Sequence, residues 1–155
     1  MAREIERKFL LVDDGWRAAV TRSIVMRQGY MGSSPAVSIR VRVAGDDAWL
    51  NFKSATLGIA RQEYEYAIPR TDADEMLASF CGERCLDKTR HLVPWAGHVW
   101  EIDEFHGANA GLVVAEIELD SEAEAFTRPP WIGAEVSADP RYYNVCLIDL
   151  PYTRW

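Results

Sequence analysis

The chain has 155 residues, 48% hydrophobic and 26% charged, an ordinary globular composition that supports one sizeable core. Its net charge of -7 and pI near 5.0 exclude the positive exterior that a nucleic-acid coat or a basic membrane-surface protein needs. No apolar run approaches a membrane span and the first residues are charged, so a cytoplasmic protein with a single domain over 1–155 is expected.

In chain order, period-two alternation bounded by turn residues predicts strands over 2–11, 23–31, 36–43, 47–54, 61–68, 84–93, 98–105 and 112–120. A short helix is expected over 13–20, around Trp16. Between the fifth and sixth strands Thr71 is placed to cap a helix to about Phe80, with Asp74 in the capping-box position and Met76, Leu77 and Phe80 as its apolar side. A last helix is expected over 141–150, after Asp139 and Pro140. Eight strands with little helix predict a mostly β, α+β fold, either a barrel or a sandwich. Cys81, Cys85 and Cys146 are odd in number and lack metal-ligand spacing, so buried reduced thiols are expected. His91, His98 and His106 are scattered, which argues against a histidine metal site.

One charge pattern recurs along the strands. Glu4, Glu6 and Lys8 alternate with Ile5, Arg7 and Phe9, Arg40 and Arg42 with Val41 and Val43, and Glu63 and Glu65 with Tyr64 and Tyr66. Lys53, Lys88 and Arg90, Glu101 and Asp103, and Glu116 and Glu118 continue it; with Arg61 the set holds eight acids and seven bases. One such pair is what any half-buried strand shows, and exposed ion pairs contribute little. Repetition over seven strands predicts instead an eight-stranded antiparallel closed barrel, with a charged lumen and an apolar outer face covered by helices.

Acids and bases mixed in one enclosure suit a polyanion bound with metal ions, because carboxylates hold Mg²⁺ or Mn²⁺ while Arg and Lys hold phosphate oxygens. Eight acids against seven bases sum to -1, and two divalent ions would turn the lumen to +3. Phosphoryl transfer needs mostly positioning and electrostatic stabilisation, which such a lumen provides without a Cys or His nucleophile. The absence of a G-x-x-x-x-G-K-S/T loop excludes a P-loop mechanism.

Glu4-Ile5-Glu6-Arg7-Lys8 resembles the E-x-E-x-K signature of the CYTH superfamily, the triphosphate tunnel metalloenzymes. The resemblance extends through Gln28-Gly29-Tyr30, Arg40-x-Arg42, Lys53, residues 61–69, Lys88-x-Arg90, residues 100–119 and residues 131–144. It implies an antiparallel tunnel that binds a triphosphate and cleaves it with Mg²⁺ or Mn²⁺. By that similarity Glu4, Glu6, Glu116 and Glu118 are metal ligands, while Lys8, Arg40, Arg42, Lys53, Lys88 and Arg90 hold the phosphates. Glu63, Glu65 and Asp103 match supporting or water-orienting positions, with structural ion pairs as the alternative. Arg61 is assigned to the tunnel mouth. Lys8 and Tyr30 are assigned to the chemical step, on the expectation that crowding cations lower the pKa of Lys8 and that Tyr30 relays a proton; a packing role is the alternative for Tyr30. Asn51, His91 and Tyr143 depart from the family pattern and are expected to alter the tunnel rim.

The reaction implied is hydrolysis of inorganic tripolyphosphate to pyrophosphate and phosphate. Thiamine triphosphate, nucleoside triphosphates and ATP cyclisation stay open as alternatives, with Trp49 or Tyr30 stacking on the organic group, and so does a noncatalytic polyphosphate or nucleotide sensor. The expected partner is a small-molecule substrate rather than nucleic acid or membrane, and a homodimer stays open.

Overall fold

The computed structural model describes residues 2–155. Its strands are β1 (Arg3–Leu11), β2 (Arg22–Ser33), β3 (Val37–Ala44), β4 (Asp47–Ser54), β5 (Ala60–Ala67), β6 (Cys85–Trp95), β7 (His98–Phe105), β8 (Val113–Glu118) and β9 (Ile132–Glu135). They pair in the order β5-β4-β3-β2-β6-β7-β8-β1-β9. The sheet closes where β5 returns to β1 through Arg3–Gln62, Glu4–Arg61 and Ile5–Ala60, which gives the expected eight-stranded antiparallel barrel. The unexpected ninth strand lies beside Phe9 and Leu11, along the part of β1 that β5 does not reach. Alternation sets which side chains enter the barrel, and tight hairpins hold the register. At the β6–β7 turn both Ala96 (φ 47°) and Gly97 (φ 85°) are left-handed, the backbone of a two-residue turn whose twist matches its strands.

The hydrophobic core forms three patches, two on the outer face of the barrel wall and one on inward-facing positions at one end of the barrel. Ile5 and Phe9 of β1 pack with Trp16, Trp100, Ile117 and Trp131, and Phe9 meets Trp100 edge-on at 5.6 Å. Val41, Val43 and Ala48 are covered by α1 (Arg70–Met76) and the π turn Leu77–Cys81 that continues it. Leu86, Phe105, Leu112 and Val114 are covered by Tyr142 and by Leu147 of α2 (Asn144–Asp149). Each such buried side chain contributes about 1.5–3 kcal/mol, and with the inner patch confined to one end the rest of the lumen is left for charge.

The helices differ from expectation in their ends and phase. α1 starts after Pro69 with no side-chain cap, and Asp74 accepts from Arg70 Nε at 3.0 Å instead of closing a capping box with Thr71. The wider π turn rotates the following residues, so Ala73, Leu77 and Cys81 are buried while Phe80 is 67% exposed. Gly29 of β2 makes room for this turn, since a Cβ there would lie 2.6 Å from Cys81 Sγ. The helix expected over 141–150 is a 3-10 turn, Pro140–Tyr142, then α2, separated by extended Tyr143. That expected over 13–20 is the 3-10 turn Gly15–Ala19, with Trp16 buried. All three thiols are free, but only Cys81 is fully buried, because Cys85 opens a strand and Cys146 borders a cavity.

Candidate active site

The charged faces of the strands converge on a lumen with two adjoining chambers. The main chamber, about 460 Å³, is lined by Glu4, Glu6, Glu63, Glu65, Glu101, Glu116 and Glu118, and by Arg3, Arg40, Arg42, Lys53 and Arg90. A mouth chamber of about 240 Å³ adds Lys8, Tyr30, Arg61, Tyr143 and the loop at 54–58; Glu6, Arg40, Lys53 and Asn144 line both.

Strand register decides which charges meet. Across β6 and β7, fully buried Asp103 lies within 2.6 Å of Lys88 Nζ and accepts from Arg90 Nε and Nη2 at 2.8 Å each. Arg90 also donates to Glu101 and, at 3.1 Å, to Glu116. Lys8, opposite Glu116 in the β1–β8 register, lies 3.1 Å from that carboxylate and donates to the Tyr142 carbonyl at 3.1 Å. Burial works against the carboxylates of Asp103 and Glu116, but their cations hold both below the usual range. Burial opposes the Lys8 ammonium too, yet Glu116 and Glu6 outweigh it and raise its pKa. This corrects the expectation for Lys8, whose nearest charges are carboxylates rather than cations. The lowered lysine is Lys88, which burial brings to about 8, with Arg90 opposing Asp103 in the same direction.

A second network spans β1, β4 and β5. Lys53 Nζ donates to the two Glu4 oxygens at 2.7 and 2.9 Å and stands 3.3 Å from Glu63, while Arg61 is 4.0 Å from Glu4. Asn51, 1% exposed, donates to Glu63 and to Glu65, and Arg42 reaches Glu65 at 3.2 Å. Burial, Glu6 and a hydrogen bond shared with Glu63 push Glu4 up to about 8. Burial acts to raise Glu63 as well, but the Glu4 hydrogen bond and Lys53 hold it at about 2.

Three lumen charges are left without an opposite partner among the described residues. Arg40 is 6% exposed and makes no ion pair, with its Nε buried and unpartnered. Glu6 and Glu118 face each other in the β1–β8 register, and neither makes an ion pair among the described residues, although the Glu6 charge is near enough to favour the ammonium forms of Lys8 and Lys53. Like charges directly opposite repel, and burial together with Glu6 raises the pKa of Glu118.

Lys88 and Asp103 share the inward face with Arg90, Glu101 and Glu116 but are buried beneath them and line neither chamber, whereas the other expected site residues border one or both. Tyr30, 4% exposed, borders the mouth and accepts from Gln28 Nε2 at 3.3 Å. Tyr143 is at the rim as expected, its ring under Arg61 at 5.4 Å. His91 is not: it alternates to the outer face, 5.1 Å from the Trp16 ring and 2.7 Å from Ser23 Oγ. Trp49 stacks under Arg42 at 5.3 Å and lines neither chamber. Glu101, Ser137 and Asn144 received no site role from the sequence. The alternation around Glu101 carried a signal, while Ser137 and Asn144 lie in a segment without periodicity.

Among the described residues no three acidic, histidine or cysteine side chains form a ready metal cage. Mg²⁺ commonly takes one or two carboxylates and completes its shell with substrate phosphates and water. Glu6 and Glu118 fit that donor set, being hard oxygen ligands that face one another across the register and make no ion pair among the described residues. The other two expected ligands are held by bases, Glu4 by Lys53 and Glu116 by Lys8 and Arg90.

A closed antiparallel barrel with apolar patches over its outer face and mixed acids and bases in its lumen defines a tunnel-fold protein. The model of the CYTH domain matches residues 2–143, and the chain belongs to that family. It is 43% identical over 152 residues to an inorganic triphosphatase of Acetivibrio thermocellus, covering 98% of this chain and 97% of that protein. It is 38% identical over 150 residues to an inorganic triphosphatase of Nitrosomonas europaea, covering 93% and 95%. A solved crystal structure of an inorganic triphosphatase, 36% identical, superimposes with a TM-score of 0.66 over 96% of this chain and 95% of that one.

Proposed function

We propose that the protein hydrolyses inorganic tripolyphosphate to pyrophosphate and phosphate in its lumen, with Mg²⁺ or Mn²⁺. The observation that carries this reading is the set of charges without an ion pair among the described residues. Arg40 is a buried guanidinium in no ion pair, and Glu6 and Glu118 are facing carboxylates in none. A polyphosphate arriving with a divalent cation satisfies both at once. Seven carboxylates against five bases give the main chamber -2, which two divalent ions turn to +2. The relatives named inorganic triphosphatase, matched over nearly their whole length, support the same substrate.

Glu6 and Glu118 would hold the cation, which when bound neutralises phosphate charge and orients the phosphate oxygens. Arg40, Arg42 and Lys53 grip the phosphates through charge-assisted hydrogen bonds. Asp103, itself held by Lys88, braces Arg90 from within the barrel, and Lys8 stays an ammonium that adds positive charge beside Glu6. Tyr30 accepts from Gln28, which leaves its own hydrogen to donate to a phosphate oxygen during the chemical step. Water adds to a terminal phosphorus as the bridging P–O bond breaks, and pyrophosphate leaves with the electron pair.

An organic triphosphate is the second reading, favoured by the mouth walls of Leu57, Pro140, Tyr143 and Val145. No helix among the described residues is long and apolar enough to cross a membrane, and the charge of -7 suits a cytoplasmic enzyme with a small-molecule substrate. Phosphate release from tripolyphosphate, ATP and thiamine triphosphate, each with Mg²⁺ and with Mn²⁺, tests the assignment. Tripolyphosphate is expected to have the highest kcat/KM, at least about tenfold above ATP, or roughly 1.4 kcal/mol of transition-state binding. An equal or greater value for an organic triphosphate promotes the second reading. Release from none of them marks a noncatalytic sensor.

A further inference from the structure

Glu6, Arg40, Lys53 and Asn144 stand where the two chambers join. Lys53 is tied to Glu4 and Glu63, whereas neither Glu6 nor Arg40 makes an ion pair among the described residues. Asn144 is the neutral member. It opens α2, which is anchored by Leu147 at 1% exposure among Leu86, Phe105 and Leu112, so core packing fixes the position of the amide. Its Oδ1 is buried and has no hydrogen-bond partner.

An unpartnered buried acceptor is costly, and an ionised polyphosphate cannot relieve it because phosphate oxygens are acceptors as well. The remaining requirement is a hydrogen donor. Lys53 is occupied and Arg40 is turned to phosphate in the proposed grip, which leaves water. A water attacking phosphorus needs its hydrogens held by acceptors so that a lone pair points at the phosphorus. At the junction the acceptors not tied to a base are the Glu6 carboxylate and Asn144 Oδ1.

We infer that Asn144 orients the attacking water, with its Oδ1 and Glu6 accepting the two hydrogens where the chambers join. The inference rests on the triphosphatase reading and names a catalytic residue within it. The water oxygen bonds to the terminal phosphorus as the bridging P–O bond breaks. Pyrophosphate takes the electron pair of that bond, and the water's proton passes to an oxygen of the new phosphate.

Steady-state phosphate release from tripolyphosphate by Asn144→Leu and Asn144→Asp, with calorimetric binding of the non-hydrolysable imidotriphosphate, tests this. Asn144→Leu keeps the volume and removes the acceptor, so kcat is expected to fall about 100-fold while KM and the imidotriphosphate Kd change less than about threefold. Asn144→Asp restores an acceptor oxygen and is expected to recover kcat to within about tenfold of the parent. If the leucine variant melts well below the parent, Asn144→Ala gives the same comparison. Retained kcat in the variants lacking the acceptor overturns the inference. So does a tenfold weaker imidotriphosphate Kd with kcat preserved, which makes Asn144 a substrate contact, or full rescue by excess Mn²⁺, which makes it a cation ligand. A parent that releases no phosphate from any triphosphate overturns the underlying reading, whereas an active parent with unaffected variants overturns this step alone.

Discussion

Two charge clusters in the same lumen end in opposite states. Around Asp103, the side chains of Lys88, Arg90, Glu101, Glu116 and Lys8 meet an opposite charge within hydrogen-bonding reach, and Asp103 itself is fully buried. Around the chamber junction, Arg40, Glu6 and Glu118 make no ion pair among the described residues, and the two carboxylates confront each other. The contrast separates charges that hold the barrel from charges kept for a ligand. A buried pair that loses one partner destabilises the fold, whereas an unmatched buried charge already costs stability and is relieved when its ligand arrives.

The largest effect is expected on the matched side. Asp103→Ala strands the Lys88 and Arg90 charges and should lower unfolding stability by about 3–5 kcal/mol in urea denaturation. A loss below about 1 kcal/mol would place Asp103 outside the structural cluster. On the unmatched side, Arg40→Gln should cost about 100- to 1,000-fold in kcat/KM, roughly 2.7–4 kcal/mol, without a matching loss in melting temperature. Substantial destabilisation with activity intact would erase the distinction. Tyr30→Phe should cut kcat about tenfold with KM little changed, about 1.4 kcal/mol, and a loss confined to KM would make Tyr30 a substrate contact.

Smaller effects sharpen the contrast. Glu6→Gln removes the repulsion from Glu118 together with the attraction to Lys8 and Lys53, so the stability of the metal-free protein should change by less than about 1 kcal/mol, where the same change at a matched buried acid would lower it by more. The pH dependence carries a defined sign. Glu4 keeps its proton to about 8 when folded, against an ordinary value of 4.5, so the folded state binds the extra proton between those limits. This contribution to stability is fully present below 4.5 and is lost as pH rises through about 8; Glu63, held at about 2, loses its own as pH falls from 4.5 toward 2. Melting temperatures of the metal-free protein between those limits should show the decline, and Glu4→Gln should flatten it.

The barrel was legible because alternation is a local property, visible in Glu4-Ile5-Glu6 and in Arg40-Val41-Arg42 before any pairing is known. The ninth strand was not, since four residues with Gly133 among them carry too little pattern. Phase slips were equally hidden: the π turn that exposes Phe80 depends on Cys81 packing against Gly29, a contact between distant residues. The lumen's residue types were readable, but the match between acid and base was set by register. Glu6 meets Glu118 while Lys8 meets Glu116, and one strand shifted by two residues would set Lys8 against Glu118 or against Val114 instead. The reversed pKa expectation for Lys8 has the same origin, because its carboxylate neighbours come from other parts of the register and from the next inward position on its own strand.

The most direct test of the unmatched charges as a joint cation and phosphate site is product analysis of tripolyphosphate turnover by the parent and Glu6→Gln, in Mg²⁺ or Mn²⁺ and in chelator. One pyrophosphate and one phosphate per tripolyphosphate are expected from the parent with metal, with none in chelator and a large loss in the folded Glu6→Gln variant. Equal turnover in chelator, or an undiminished Glu6→Gln enzyme, would contradict the account.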